Sequence, residues 1–210
     1  MDLIKPVQSD FIEVYDFGRE SDAEKIVEFF ESVYDGKSTS GGLKYFNKNR
    51  QRVCASKTFS FDEDVEINEA VYTYVSSGIE KYVKNYSYLK VNNSWRVSPY
   101  YNIQRYDGKK EGYFSLHNEA SGSYPYRMLA WMVYLNDASS GTEFPFQNIT
   151  IQAKTGRTVI WPAAWTHPHR GVIPNVGVKY IATGWFYYLP VGTPKFDGHH
   201  PDENIQEIIV

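Results

Sequence analysis

The chain has 210 residues, 42% of them hydrophobic and 22% charged, which is enough for one substantial hydrophobic core. A formal net charge of −3 provides no overall field that would attract nucleic acid or an acidic membrane, so neither is expected as a partner. Cys54 is the only cysteine, and no apolar run is long enough for a signal peptide or a membrane span, so we exclude a disulfide framework and a cysteine zinc site and expect a cytoplasmic location.

The first third of the chain is predicted to be mainly helical. Residues 11–17 alternate imperfectly and could form one short strand. Ser21 with Glu24 three residues later is typical of a capping box, which predicts that a helix begins there and ends at the glycine-rich segment 36–42. Two sets of apolar residues follow helical spacing: Ile26, Phe29, Phe30, Val33 and Tyr34 in a first helix, and Ile67, Val71, Tyr74, Val75 and Tyr82 in a second. We expect little sheet in this part of the chain.

A run of basic residues lies between the two predicted helices. No acidic residue occurs between Asp35 and Asp62, whereas six basic residues do: Lys37, Lys44, Lys48, Arg50, Arg52 and Lys57. Such a run is more often a solvated loop than a binding patch. If the segment folds over a binding site, it would favour an acidic or extended substrate.

From about residue 90 the pattern changes to short segments rich in β-branched and aromatic residues. Four such segments, bounded by Gly, Pro, Asn or Asp, are predicted strands: residues 96–106, 127–135, 158–161 and 179–189. Residues 139–141 and 154–157 are predicted to be hairpin turns. Strands and turns at this spacing favour a sandwich or barrel.

These patterns predict an α+β fold that is mainly β, in one domain covering residues 1–210. Helical support is expected at about 1–89, a β core at about 90–190 and a short tail after it. His199 and His200 lie in that tail and are expected to be surface residues, because adjacent side chains point in different directions. The oligomeric state stays open.

His117, Glu119 and His169 form a candidate ligand set for a non-haem Fe(II) ion. One residue separates His117 from Glu119, so on an extended segment both side chains point to the same face, and His169 must come from a neighbouring strand. Two imidazoles and one carboxylate suit Fe(II) and leave coordination positions open for a cosubstrate and O₂. The alternative for an isolated His-x-Glu is a solvated surface pair.

Lys179 is a candidate partner for the distal carboxylate of a 2-oxo acid. A buried cation supplies charge-assisted hydrogen bonds where water is scarce. Lys179, Ile181, Thr183 and Trp185 share one face of a predicted strand, so the Thr183 hydroxyl could reach the same carboxylate. The alternative for a lone strand lysine is exposure to solvent, and the alternate neighbours Ile181 and Trp185 argue against it.

Five ordered segments of the second half add a further pattern: NIQRYDG at 102–108, LHNE at 116–119, YLND at 134–137 with GTEF at 141–144, TGRTVIWP at 155–162, and His169 with GVKY at 177–180. This ordered set resembles the prolyl 4-hydroxylase-like branch of the Fe(II)/2-oxoglutarate dioxygenases. The chain departs from the branch in two places. Glu119 stands where most members have Asp, and Ser140-Gly141 replaces a Gly-Gly pair.

The resemblance implies a double-stranded β-helix, or jelly roll, with iron in its mouth and the N-terminal helices as support. It assigns roles to seven residues: His117, Glu119 and His169 as catalytic metal ligands, Lys179 as the 2-oxoglutarate-binding cation, Tyr106 and Thr183 as further cosubstrate contacts, and Trp185 as part of the pocket lining. His167 is a second candidate for the distal ligand, and counting back from Gly177 and Lys179 favours His169. Tyr124-Pro125-Tyr126 is either a loop that contacts substrate or a turn held by aromatic packing.

The implied activity is that of a dioxygenase that uses Fe(II), 2-oxoglutarate and O₂, hydroxylates a substrate C–H bond, and releases succinate and CO₂. Ascorbate is a candidate reductant. Peptidyl proline is the first expected substrate, although the branch includes oxygenases of other amino acids and of small molecules. Two other classes stay open: a non-catalytic, cupin-like binding module and a structural β-sandwich without metal.

Overall fold

A computed structural model of the chain describes residues 10–34, 52–63, 65–91, 94–108, 112–113 and 115–189. The helices of these ranges are α1 (Glu20–Val33), α2 (Asn68–Asn85) and α3 (Tyr88–Val91). The strands are β1 (Glu13–Asp16), β2 (Arg52–Val53), β3 (Ala55–Ser60), β4 (Trp95–Asp107), β5 (Gly112–Tyr113), β6 (Arg127–Tyr134), β7 (Gly141–Phe144), β8 (Ile149–Gln152), β9 (Arg157–Pro162), β10 (Arg170–Val172) and β11 (Val178–Tyr188). No helix in the described ranges is both long and apolar enough to cross a membrane.

Two antiparallel sheets build the core of the fold. The major sheet has the strand order β1-β9-β6-β11-β4-β3, and a minor sheet has the order β10-β7-β8. One cluster of buried side chains lies between the two sheets, and a second lies between the major sheet and helices α1 and α2. The architecture is the predicted jelly roll with helical support, and this prediction is confirmed.

Strand β6 shows how the sequence produces these layers. All of its residues after Arg127 are buried, because the strand lies in the middle of a sheet that is covered on both faces. Trp131 and Val133 point into the helix-side cluster, whereas Met132 and Tyr134 point into the cluster between the sheets. The period-2 alternation of a strand therefore divides one apolar run between two cores.

The first predicted helix is present as α1, but the predicted capping box at Ser21 and Glu24 is wrong. The N-cap is Arg19, in a left-handed conformation and without a side-chain capping bond, so Ser21 lies inside the first turn. The Tyr74 hydroxyl of α2 contacts the carbonyl oxygens of Gly18 and Arg19, at 3.1 and 2.6 Å. This contact with a distant helix fixes the start of α1, and no local sequence signal reveals it.

The first third of the chain also contains more sheet than its sequence predicts. Strand β1 confirms the short strand expected near residues 11–17, but β3 was not expected, because Ser56, Lys57 and Thr58 conceal its alternation. Strand β3 pairs with β4 at the edge of the major sheet. Lys57 donates to the carbonyl of Val33 at 3.1 Å, so this member of the basic run belongs to the fold and not to a loop. Residues 35–51 of the run lie outside the described residues.

The two predicted hairpin turns are crossings between sheets. Residues 139–141 connect β6 of the major sheet to β7 of the minor sheet, and residues 154–157 connect β8 back to β9. A tight turn does form at the second position, where the Arg157 amide donates to the Lys154 carbonyl at 2.9 Å. Its flanking strands pair with other partners, so the hairpin interpretation is wrong although the turn is present.

Candidate metal and cosubstrate site

The two histidines of the candidate metal site are held opposite each other by their main chains. His117 and His169 form an isolated antiparallel bridge, in which each amide donates to the other residue's carbonyl, at 3.1 and 2.8 Å. Directly paired residues of an antiparallel bridge present their side chains on the same face. The imidazole rings consequently lie with their centroids 4.3 Å apart.

Hydrogen bonds to the main chain select the tautomer of both imidazoles. The Nδ1 atom of His117 lies 3.0 Å from the Ser115 carbonyl oxygen, and that of His169 lies 3.2 Å from the His167 carbonyl oxygen. A carbonyl only accepts, so Nδ1 carries the proton and donates in both residues. In the neutral form of each ring, Nε2 therefore presents a lone pair, which is the form that binds a metal.

Glu119 completes the cluster with one of its two carboxylate oxygens. Its Oε1 lies 3.7 Å from His117 Nε2 and 3.4 Å from His169 Nε2. The ligand atoms of the three residues all lie within 4.8 Å of one another, a spacing that one metal ion can bridge. Burial raises the pKa of the Glu119 carboxyl, but the adjacent imidazoles lower it more, so the net pKa is well below the usual range and the group is a carboxylate at neutral pH.

The other oxygen of Glu119 faces two donors. Arg127 donates to Oε2 at 3.2 Å and also to the main-chain carbonyl of Glu119 at 3.2 Å, and the Trp185 indole N–H donates to Oε2 at 2.9 Å. Sequence reasoning placed Trp185 in the pocket but missed Arg127. The sequence did offer one signal for Arg127: it is the only charged residue of an otherwise apolar strand, β6, and it stands at the first position of that strand.

Lys179 lies in the same cavity as the three candidate ligands. The cavity has a volume of about 390 Å³, and its walls include all four residues that were predicted to share a strand face: Lys179, Ile181, Thr183 and Trp185. The Lys179 side chain is 3% exposed, and its Nζ lies 3.3 and 3.4 Å from the carbonyl oxygens of Gly141 and Val172. Burial lowers the pKa of Lys179 to about 8, an effect that nearby Cys54 partly offsets.

The other two predicted cosubstrate contacts line the cavity, but their hydroxyl protons have partners in the protein. Tyr106 donates to Gln104 Oε1 at 2.6 Å, and its ring centroid lies 4.9 Å from Lys179 Nζ. Thr183 donates to the carbonyl of Trp131 at 2.8 Å. Both oxygens keep acceptor capacity only, so neither donates to a carboxylate in this arrangement.

His167 is oriented away from the ligand cluster. Its Nε2 lies 2.6 Å from the carbonyl oxygen of Asp10, and its Nδ1 lies 2.8 Å from the Thr166 hydroxyl. The cluster of potential metal ligands in the described residues contains His169 and not His167. His199 and His200 lie outside the described residues.

A second cavity adjoins the first and is open to solvent. This outer groove has a volume of about 500 Å³, and it shares Asn102, Tyr124, Arg127 and Trp185 with the inner cavity. Its remaining lining is rich in hydroxyl groups and aromatic rings: Thr58, Ser98, Tyr100, Ser123, Pro125, Tyr126 and Tyr187. The segment Tyr124-Pro125-Tyr126 is thus both a turn, with the Arg127 amide donating to the Tyr124 carbonyl at 3.4 Å, and part of this groove.

The donor set matches the requirements of Fe(II) and an anionic cosubstrate. Two neutral imidazoles and a carboxylate form the facial arrangement that leaves positions open on non-haem iron. The indole nitrogen of Trp161, in the cavity wall, is buried and has no hydrogen-bond partner among the described residues, so it can donate to a bound ligand. A jelly roll with these groups around one cavity has the architecture of a 2-oxoglutarate-dependent oxygenase.

Comparison with known families agrees with this class. A family model described as the 2OG-Fe(II) oxygenase superfamily matches residues 101–187, so the segment from β4 to β11 is similar to that superfamily. Its cofactors are Fe(II), 2-oxoglutarate and O₂. A search of curated protein sequences finds no match.

Solved structures of several oxygenases share the fold. A viral collagen prolyl hydroxylase from Paramecium Bursaria Chlorella virus-1, solved with 2-oxoglutarate, is 15% identical with a TM-score of 0.62, over 85% of this chain and 97% of that chain. A prolyl hydroxylase from Trichoplax adhaerens in complex with a hypoxia inducible factor peptide fragment is 17% identical with a TM-score of 0.61, over 85% and 84%. The non-haem carbocyclase SnoK of nogalamycin biosynthesis is 12% identical with a TM-score of 0.63, over 91% and 85%. At these identities the likeness establishes the fold alone.

Proposed function

We propose that the protein is a 2-oxoglutarate-dependent hydroxylase of peptidyl proline, in which His117, Glu119 and His169 hold Fe(II) and Lys179 binds the cosubstrate. The observation that carries the proposal is the buried Lys179 in the cavity of the ligand cluster. A buried cation without an anionic partner is unfavourable, and none of the ion pairs of the described residues includes Lys179. The distal carboxylate of 2-oxoglutarate would supply the missing charge.

Each group has a separate task in the proposed reaction. Fe(II) held by His117, Glu119 and His169, together with 2-oxoglutarate and O₂, would supply the oxidant by oxidative decarboxylation of the oxo acid to succinate and CO₂. The main-chain carbonyls behind His117 and His169 keep both Nε2 lone pairs directed at the metal position. Lys179 orients the cosubstrate by a charge-assisted hydrogen bond. Trp161 and Ile181, both buried in the cavity wall, exclude water.

The outer groove supports a peptide as the substrate. Tyr100, Tyr124 and Tyr126 are each more than half exposed, although their rings line this groove. Aromatic-lined grooves bind extended proline-rich segments, because proline rings pack on aromatic faces and the exposed peptide carbonyls accept hydrogen bonds from hydroxyl groups. The groove continues into the inner cavity, so a peptide lying in it would present one residue to the metal position. The Trichoplax adhaerens prolyl hydroxylase, which has a similar fold, was solved in complex with a peptide fragment, and this supports a peptide substrate here.

Anaerobic addition of Fe(II) and 2-oxoglutarate tests the cofactor assignment. We expect a visible metal-to-ligand charge-transfer band for the wild type, and no band for His169→Ala. Lys179→Ala should retain metal binding but require at least tenfold more 2-oxoglutarate to develop the band, because the cosubstrate then lacks its cationic partner. Absence of the band in the wild type would favour a non-catalytic binding module instead.

The substrate is tested by succinate release with paired peptides. We expect a proline-rich peptide to stimulate succinate formation with a product mass increase of one oxygen atom, and the same peptide with alanine at every proline to leave succinate formation at its basal rate. Stimulation by a small-molecule panel but by neither peptide would reject peptidyl proline and leave the oxygenase assignment intact.

A further inference from the structure

Two side chains that are not metal ligands, Arg127 and Trp185, donate to Glu119, and a third, Tyr124, packs on the Arg127 guanidinium. We propose that Tyr124, Arg127 and Trp185 form a carboxylate clamp, a positioning device that makes Glu119 a one-oxygen metal ligand. This inference rests on the proposed function, since it concerns the same metal. It explains how the chain uses a glutamate where most of the resembling branch has an aspartate.

The two oxygens of Glu119 have different surroundings. Oε1 faces the Nε2 atoms of His117 and His169, whereas Oε2 accepts from Arg127 at 3.2 Å and from Trp185 at 2.9 Å. An oxygen that accepts two hydrogen bonds on the far side is not available to a metal on the near side. The clamp therefore leaves Oε1 as the only metal-binding oxygen, and it preserves the open positions that 2-oxoglutarate and O₂ need.

The clamp also offsets the flexibility of the longer side chain. A glutamate has one more rotatable bond than an aspartate, and ordering that bond costs conformational entropy on metal binding. Arg127 spans both the carboxylate and the main-chain carbonyl of Glu119, so it fixes the two ends of the side chain at once. With the bond ordered before the metal arrives, the entropy loss falls on folding instead of on metal binding.

Arg127 is itself held rigidly. Its guanidinium carbon lies 3.4 Å from the ring centroid of Trp185 and 4.0 Å from that of Tyr124. Cation–π contacts at these distances orient the planar guanidinium, and its side chain is only 17% exposed. Because Tyr124, Arg127 and Trp185 line both cavities, the clamp is also the wall between the proposed peptide groove and the metal position.

Anaerobic titration of the metal-free protein with Co(II) tests the clamp without turnover. Arg127→Gln should raise the Kd for Co(II) between ~10-fold and ~100-fold, the usual effect of removing a group that orients a metal ligand. Trp185→Phe keeps an aromatic face but loses the N–H, and should give a smaller increase. Arg127→Lys should recover part of the affinity, since an ammonium can donate to both oxygens, as one guanidinium nitrogen does here, but lacks the planar group that stacks on Trp185 and Tyr124. Arg96→Gln is the matched control, because Arg96 likewise stacks on a tyrosine, Tyr187, and donates to its hydroxyl; the Kd of this variant for Co(II) should equal that of the wild type.

A double-mutant cycle with Glu119→Asp distinguishes positioning from general destabilisation. The shorter arm cannot place one oxygen on the metal and the other against Arg127, so Arg127→Gln should change the Co(II) affinity of the Glu119→Asp protein less than threefold. Additive effects of the two substitutions on the Co(II) affinity would overturn the clamp. An unchanged Kd for Co(II) in Arg127→Gln, together with an increased KM for peptide, would also overturn it, because Arg127 would then be a substrate contact. If the wild type binds Co(II) and gives the Fe(II) charge-transfer band, either result refutes the clamp but not the proposed function. A wild type that binds no metal refutes both proposals.

Discussion

The protonation state of Lys179 makes the affinity for 2-oxoglutarate depend on pH. Burial lowers the pKa of this lysine to about 8, whereas an exposed lysine titrates near ~10.4. Only the ammonium form can pair with the distal carboxylate of 2-oxoglutarate, whose own charge does not change above neutral pH. The affinity should therefore be high below the folded-state pKa and decrease as the pH rises through it.

The size of the effect follows from the pKa. With a value of about 8, the ammonium fraction is ~0.9 at pH 7 and ~0.1 at pH 9. The apparent Kd for 2-oxoglutarate should thus be about tenfold higher at pH 9 than at pH 7, a difference of about 1.4 kcal/mol. Bound carboxylate favours the ammonium, so binding at pH 9 should also take up ~0.9 proton, against ~0.1 at pH 7.

Isothermal titration of the protein saturated with Mn(II) measures both quantities, when it is repeated in buffers of different ionisation enthalpy. Lys179→Arg is the control, because a guanidinium keeps its charge over the whole range and should give a Kd that changes less than twofold. A wild-type Kd that also changes less than twofold, or an equal pH dependence in Lys179→Arg, would refute the assignment of Lys179 to the cosubstrate carboxylate.

Two further substitutions test how the structure positions the site. His167→Ala should destabilise the protein by about 1–3 kcal/mol in urea unfolding, because it removes a buried side chain together with its hydrogen bond to the Asp10 carbonyl. It should retain metal affinity, whereas His169→Ala should lose it; loss of metal binding in His167→Ala would contradict this. Gly156→Ala should destabilise the protein by about 2 kcal/mol or more, because Gly156 has φ +72° and an added Cβ would lie 1.8 Å from the Gly18 carbonyl oxygen; an unchanged urea midpoint would contradict it.

Much of the fold follows from periodicity, and the parts that do not are short or depend on distant partners. Strands β4, β6, β9 and β11 and helices α1 and α2 are long and regular enough to be predicted within a few residues. Strand β8 has four residues, of which three are exposed, so it carries no apolar alternation. The turn at 154–157 looks the same locally whether the next strand pairs with β8 or crosses to the other sheet. Sheet membership is set by long-range pairing, which a single sequence does not encode locally.

The candidate site was also predictable only in part. The spacing of His117, Glu119 and Lys179 and the family pattern around them bring the predicted residues to one cavity. The tautomers of the two imidazoles depend on the carbonyls of Ser115 and His167, which are set by backbone course and not by residue type. A sequence reading therefore predicts which side chains meet, but not which atoms of those side chains are already engaged.

The position of Arg127 shows why the environment of Glu119 could not be predicted. Arg127 reaches Glu119 because the chain between them folds back, with the Ala120 amide bonded to the Ala163 carbonyl at 2.8 Å and Arg127 paired with Tyr187 on β11. The same pairing sets Trp185, two residues earlier on β11, against the guanidinium. Glu119 is thus ordered by Arg127 of β6, which follows it closely in sequence, and by Trp185 of β11, more than sixty residues later. A longer ligand side chain at this position is compatible with a fixed metal geometry because its second oxygen is anchored by the rigid part of the sheet, whereas an aspartate would depend on the loop alone.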